Sequence, residues 1–403
     1  VLQTRKGFRL CDTVELQKQE DVFKEYVSSG TNIMPDVELP VDNEVFSNIL
    51  PLKQYKMLFN ARQYFSLAVL MSYLKDGISK LVEEEGEFGA ALGLYLAFGV
   101  DRLIDFNSIL TSWNHNTRTV RDSIGSYYKF RKFRLEGIYA EAAVPYRTLQ
   151  WIYEPDLKRK VTRGGICPVV NELCERLMDK GDKIEIYICD AKALSSFIKR
   201  NSIDIVNVDP PYYDQHIYSD FSEFFWPFLK VILQPAFRYL FNEQRIFIDW
   251  TPSSWRMPKK DEVIARRRNK IDYELKLKYV LKEIKHVLKE DGILLLWFSH
   301  REMEAWRTVV RALKTNNFVI TSLIPLPSEH PTRSITRGGR AGINRVIIIV
   351  ARRASERIKT PDANDILEKF KRYLKASKLH PNDVMSSQEF RVLIDAADLA
   401  LKQ

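Results

Sequence analysis

Beyond about residue 181 the chain repeats a pattern that limits its fold more than any other feature: short β-rich runs parted by stretches of helical spacing. The runs are "IEIYICD" (184–190), "IDIVNVD" (203–209), "GILLLWFS" (292–299), "FVITSLIPL" (318–326) and "NRVIIIVARR" (344–353). Helical patterns at 279–289 and 302–315 lie among them. Strands this apolar need cover on both faces, so the pattern predicts an α/β domain over 181–355, built on a mostly parallel sheet with helices on either side.

The rest of the chain reads differently. Residues 1–50 read as an arm: a possible strand in "TRKGFRLCDTVEL", a charged helix, and the proline-punctuated connector "MPDVELPVDNE". From 51 to 180 apolar residues recur at three and four spacing, which predicts a large N-terminal α-helical domain. Residues 356–403 return to charged helix, a docking tail. With 403 residues, 45% apolar and 12% aromatic, the chain can bury the cores of two or more units, which excludes a disordered tail.

The formal charge of +10 and a pI near 9.2 point to a polyanionic partner, or to a lysine-rich solvated surface. Arg256 to Lys289 holds twelve Lys/Arg against five Asp/Glu, and Arg333 to Arg353 holds six Arg and no acid. Arg266, Arg267, Arg268, Arg333, Arg337 and Arg340 are therefore the candidate phosphate contacts. For the first group the plain alternative is a helix laced with i, i+4 ion pairs. The four cysteines form no C-x-x-C pair and the six histidines no finger-like spacing, so no metal site is legible. Few cysteines and no apolar stretch long enough for a bilayer lead us to expect a cytoplasmic protein without membrane contact. The chain opens on Val rather than Met, which leaves room for sequence upstream.

The chemistry concentrates in "NVDPPYYDQ" (207–215). In an open α/β sheet the ligand lies beyond the carboxyl ends of the strands, where Asp209 stands and where Asp190 closes the preceding run. Two such acids could hold magnesium, accept from ribose hydroxyls, or cap helices. Pro210 and Pro211 have no N–H and a fixed φ, which leaves the carbonyls of Asp209 and Pro210 facing the cleft beside the Asp209 carboxylate. Three acceptors suit an amino group with two hydrogens, and Tyr212 offers a flat face for a planar ring.

"DPPY" after a strand resembles the catalytic motif of amino-methyltransferases that use S-adenosylmethionine. "LFNARQYFSLAVL", "YLAFGVDRLIDFNSILTSW", "DPPYYDQHIYSDFSEFFWPFLK" and "HREMEAWRTVVRALKTNNFVITSLIPLPSE" together resemble the C-terminal half of the large adenine-specific DNA methylases, whose N-terminal half carries a zinc ribbon and a domain of unknown function. The resemblance implies a Rossmann-like class I methyltransferase sheet and methylation of the exocyclic amine of adenine in DNA, within a modification or defence system such as restriction-modification. It implies that Asp209, Pro210, Pro211 and Tyr212 bind the target amine, and that Asp190 and Ala191 contact the adenine of S-adenosylmethionine. It further places Tyr213 and Phe225 against the nucleic acid, with Phe221, Phe224 and Trp226 as neighbouring wall. The alternative for that aromatic run is an amphipathic helix packed on the sheet. His300 and His330, near strand ends, read as hydrogen-bonded wall residues, and Asn107, Ser108 and Trp113 as helix packing.

One part of the family pattern is absent. Such enzymes hold the donor with a glycine-rich turn after the first strand, and no strand here is followed by one. "EGEFGAALG" (85–93) lies within helical periodicity, and "TRGGRAG" (336–342) reads as a loop. The family sheet runs 3-2-1-4-5-7-6, and the runs here answer to strands three to seven, an incomplete sheet. The arm strand near Phe8 to Leu10 could fill one place, but a missing pair would bare strand edges, so a complementing chain or N-terminal half is expected to supply strands one and two with the glycine loop. Activity can then depend on that half. Two rival readings are an RNA amino-methyltransferase and a non-catalytic subunit that grips nucleic acid.

Overall fold

A computed structural model describes residues 2–4, 7–9, 13–28, 33–49, 51–114, 119–123, 139–141, 148–153, 165–178, 180–241, 246–247, 251, 253–266, 269–327, 345–354, 362–376 and 394–399. It divides into two compact units, Val1–Ile186 with Ser219–Pro258, and Tyr187–Tyr218 with Lys259–Gln403. The expected catalytic stretch is thus interrupted: residues 219–258 pack with the helical part of the chain.

The first unit is built on helix α1 (Ala61–Phe106), which is two helices joined at a break. Gly86 sits at φ +56°, a left-handed conformation that glycine adopts without strain. A Cβ on Gly93 would stand 2.9 Å from Ile78 Cγ2, so the two halves fold back on each other with nothing larger than hydrogen between them there. The "EGEFGAALG" stretch is this hairpin's turn. Asn60 starts the helix with a capping box: its side chain accepts from Gln63 N at 2.9 Å, and Asn60 N donates to Gln63 Oε1 at 3.0 Å.

At the far end of α1, Ser108 Oγ lies 2.7 Å from Ser123 Oγ, and Ser123 Oγ donates to the Asp105 carbonyl at 2.9 Å. Asn107 and Ser108 therefore serve the helix terminus. Helix α2 (Tyr218–Leu233) contributes Phe224, Phe228, Ile232 and Leu233 to the same core, against Phe46, Tyr55 and Leu58. Two ribbons, Leu2–Thr4 with Gly7–Arg9 and Ser112–Asn114 with Thr119–Arg121, pair only within themselves. The arm strand near Phe8 takes no place in the main sheet.

The second unit holds that sheet: β1 (Ile203–Val208), β2 (Leu288–Phe298), β3 (Phe318–Pro327) and β4 (Arg345–Arg353), in the order β1-β2-β4-β3. β1 runs parallel to β2, with Val206 opposite Leu294 and Val208 opposite Leu296. β4 is antiparallel to both its neighbours. The sheet is mixed, which corrects the expectation of a mostly parallel one. Parallel neighbours need a crossover, and the sequence between β3 and β4 carries no helical pattern to make it. The run at 184–190 is reduced to a strand at Ile188–Cys189 and lies outside this sheet.

One sheet face is fully packed. Leu294, Leu296, Phe298, Ile347, Ile349 and Ala351 alternate inward along β2 and β4, and each is buried. They meet α3 (Lys270–Val287) and α4 (Met303–Thr315), whose Ala305, Trp306, Val309, Val310 and Leu313 recur at helical spacing on one stripe. Each fully buried large apolar side chain contributes about 1.5–3 kcal/mol. Asn269 caps α3 by accepting from Asp272 N at 3.2 Å, and Lys285 in its last turn complements the helix dipole. Helix α5 (Ala363–Ala376) lays Ile366, Phe370 and Leu374 onto the same core beside β3.

Candidate functional site

β1 ends at Val208, and the chain turns at its carboxyl end through Asp209, Pro210, Pro211 and Tyr212. Asp209 is exposed and the next three residues are half-buried. Among the described residues no protein donor reaches the carbonyl oxygens of Asp209 or Pro210. The Pro211 carbonyl is placed oppositely: it accepts from Tyr213 N at 3.0 Å and from the Tyr273 hydroxyl at 3.2 Å. The loop thus leaves two backbone acceptors open and turns the third inward. The Tyr212 phenol bonds the Asp209 carboxylate and is raised above its ordinary pKa, first by burial and then by that bond and the charge of Asp209. The ring is therefore a neutral donor at neutral pH, set edge-on to Phe298 with centroids 5.6 Å apart.

Tyr213, expected against nucleic acid, turns inward. Its φ of +59° is the left-handed region, rare for an aromatic residue, and the side chain is 4% exposed. The neighbouring tyrosines meet different partners: the Tyr212 phenol bonds Asp209, and Tyr213 lies edge-on to Tyr273 at 5.3 Å and His300 at 5.4 Å. Tyr213 O accepts from Ala265 N at 2.8 Å, and Gln215 Nε2 donates to Ser299 O at 3.0 Å. His300 Nε2 lies 3.1 Å from Asp214 Oδ1, while His300 Nδ1 accepts from Glu302 N at 3.0 Å. Asp214, Gln215, Tyr273 and Ser299 were not singled out from the sequence. The signal that could have found all but Tyr273 is a polar run, Asp214 to His216, just past one strand and another, Ser299 to Arg301, just past its neighbour.

Asp190 takes the capping role, one of its three alternatives. Its Oδ1 accepts from Lys192 N at 2.8 Å and its Oδ2 pairs with Lys192 Nζ at 3.2 Å. Lys192 also reaches Asp261 at 2.7 Å; partial burial works against its charge, and the bonds to Asp261 and Asp190 outweigh it, so its pKa stands raised. Asp261 is lowered in turn, mainly by that bond. Ser195 N and Oγ both donate to Glu283 Oε2, at 2.9 and 2.5 Å, and tie the segment after Asp190 to α3. Beside it opens a hollow of about 460 Å³, where Lys192, Lys260 and Lys276 face Asp261 and Asp272 next to Tyr279.

The remaining candidates divide. Arg266 is spent on Glu262 at 2.9 Å, with 22% of its side chain exposed. Arg267, Arg268, Arg333, Arg337, Arg340 and His330 lie outside the described residues. Phe225 belongs to the first unit, half-buried against its core and edge-on to Phe224 at 4.9 Å. The acids of the same helix are internal. Glu223, fully buried, accepts from Asn43 Nδ2 at 2.9 Å, Arg256 Nε at 2.9 Å and Met257 N at 3.2 Å, and buried Asp220 accepts from Glu44 N at 2.7 Å.

For a methyl donor the described residues offer only part of a site. The Asp190 carboxylate is already engaged, and no strand among them is followed by a glycine-rich turn. They do not fit S-adenosylmethionine as a complete set. Among the described residues no group of three or more His, Cys, Asp or Glu side chains is disposed to hold a metal, and no helix is long and apolar enough to cross a membrane. No protein-family model matches the chain, and no curated protein matches it.

Proposed function

We propose that this chain carries the target-binding side of a methyltransferase acting on the exocyclic amine of adenine in DNA. The observation that carries the reading is the split among three successive carbonyls: those of Asp209 and Pro210 open beside a carboxylate, that of Pro211 closed by Tyr213 N and Tyr273 Oη. Acceptors placed this way take both hydrogens of an NH₂ and favour a nitrogen whose lone pair is available to an electrophile. Asp209 acts as an orienting acceptor, and positioning is the main catalytic contribution. A base inside a duplex has to be flipped out to reach such a loop.

Two further observations support the reading. The strand order β1-β2-β4-β3 agrees with the 4-5-7-6 part of the order that the sequence resemblance implies. β1, where strands one, two and three of that order would follow, is bonded along one side only among the described residues. The donor side is then supplied by a complementing chain or segment with the glycine loop. S-adenosylmethionine, when bound, supplies the electrophilic methyl group. The open β1 edge together with the incomplete donor side favours one second reading, a nucleic-acid-gripping subunit without catalysis of its own. Transfer of labelled methyl from S-adenosylmethionine to adenine-containing DNA by this chain together with its complementing half, with Asp209→Ala alongside, tests both: the first reading expects transfer that Asp209→Ala abolishes while affinity for DNA lacking adenine is kept.

A further inference from the structure

Among the described residues the carbonyls of Asp209 and Pro210 hold no protein partner, so their position is set by the end of β1 before them and by the residues that follow. Several ties hold those residues: two are to the Pro211 and Tyr213 carbonyls, a third is a pair of side chains, His300 and Asp214, with 5% and 11% of their side chains exposed, and Gln215 Nε2 adds another to the Ser299 carbonyl. The direction of this third tie follows from its neighbours. His300 Nδ1 accepts from Glu302 N–H, so the proton of the neutral ring sits on Nε2 and points to Asp214 Oδ1. The Trp306 indole donates to the His300 carbonyl at 2.8 Å, which fixes the ring's own backbone at the start of α4. His300 also lies edge-on to Tyr213, the residue held in the left-handed region, where a non-glycine backbone persists only if its surroundings determine it.

Resting on the reading above, we infer that His300, acting through Asp214, is a positioning residue for the Asp209 and Pro210 acceptors. It touches no substrate itself. The carboxyl ends of β1 and β2 lie side by side, and this pair, beside the Gln215 bond to the Ser299 carbonyl, locks the loop beyond β1 to the turn beyond β2. Slack in that lock moves the acceptors relative to the amine, and displacement of about 1 Å is enough to cost a site much of its effect.

Two substitutions separate the lock from a general need for a side chain at this place. His300→Gln carries an N–H that can reach Asp214 in place of Nε2 and gives up the bond from Glu302 N. His300→Asn keeps an acceptor in place of Nδ1 and gives up Asp214. The readout is the affinity of the full chain for a short thymine-rich single strand holding one central adenine, against the same strand holding purine, which lacks the amino group. The expected wild-type preference for adenine is about tenfold or more. His300→Gln is expected to keep it within about threefold, and His300→Asn to lose most of it, with the thymine-only strand bound alike by all three. Equal preference in the two variants, whether kept or lost, overturns the positioning role and leaves the acceptor reading standing. A wild-type chain that binds adenine and purine strands alike, and does not differ from Asp209→Ala, overturns the acceptor reading and the positioning role together.

Discussion

The two outer strands of the sheet are built to different rules. β3 carries Pro325 and Pro327, which bring no N–H donor, and α5 lies beside it with Ile366, Phe370 and Leu374 buried. β1 has no proline, no bulky cover at Ile205, which is 57% exposed, and a sequence of the kind found inside sheets. Proteins usually blunt an edge with proline, charge or a covering helix. Among the described residues β3 is finished as an edge and β1 is not; on the proposed reading, β1 is the side on which the sheet would continue. The candidate site sits at the carboxyl end of that unfinished strand.

The covered edge is the easier to break. Phe370→Ala removes a fully buried ring from the layer over β3 and is expected to cost about 3–5 kcal/mol, read as a lower midpoint in urea denaturation. A loss under about 1 kcal/mol would mean that α5 adds little to the edge it covers.

Tyr273→Phe acts at the other end of the comparison, beneath the loop beyond β1. Loss of the bond to the Pro211 carbonyl is expected to cost about 1 kcal/mol at neutral pH. Burial raises the Tyr273 phenol, so above about pH 10 the unfolded chain releases a proton that the folded chain keeps, and this group's stabilising contribution falls as pH rises. The gap between wild type and Tyr273→Phe should therefore narrow above pH 10, measured by denaturation across that range. A gap that widens contradicts a phenol kept neutral by burial.

Much of this unit could be read from residue order alone, and the reasons for the exceptions are physical. The runs at 203–208 and 345–353 are strands because apolar β-branched residues have few other places to go. Their relative direction is not written in either strand; its signal lies in the stretch between β3 and β4, which has no helical pattern for a parallel crossover. Residues 219–233 show the same limit: an amphipathic stripe declares that it is buried without declaring in which core, and this one serves the helical unit. That the carbonyls of Asp209 and Pro210 meet no donor among the described residues is compatible with the expectation drawn from the two prolines. Tyr212 and Tyr213 could not be told apart, because a single φ of +59° decides which ring turns inward. The pairing of Asp214 with His300 spans 86 positions, and no local pattern carries it.

A charge placed at Ile205 tests the open edge itself. Because the side chain is more than half exposed, Ile205→Lys should change stability by no more than about 0.5 kcal/mol in the chain alone. The same substitution is expected to suppress any self-association or partner binding that adds a strand there, measured by sedimentation. Unchanged association would place the partner elsewhere.

The smallest effect is expected at Asp204, where β1 also makes an ion pair with its neighbour: Lys289 Nζ lies 2.6 Å from Asp204 Oδ1. Both side chains are largely in water, 40% and 76% exposed, and such a pair is screened by solvent and by salt. Asp204→Asn should therefore cost at most about 0.5 kcal/mol, and less still in 0.5 M salt. What holds β1 is the ladder to β2, the burial of Val206 and Val208 toward the core, and the bond from Trp297 Nε1 to Asn207 Oδ1 at 2.6 Å. A cost well above 1 kcal/mol, independent of salt, would show that β1 leans on its charges, and the contrast between a finished and an unfinished edge would then need another cause.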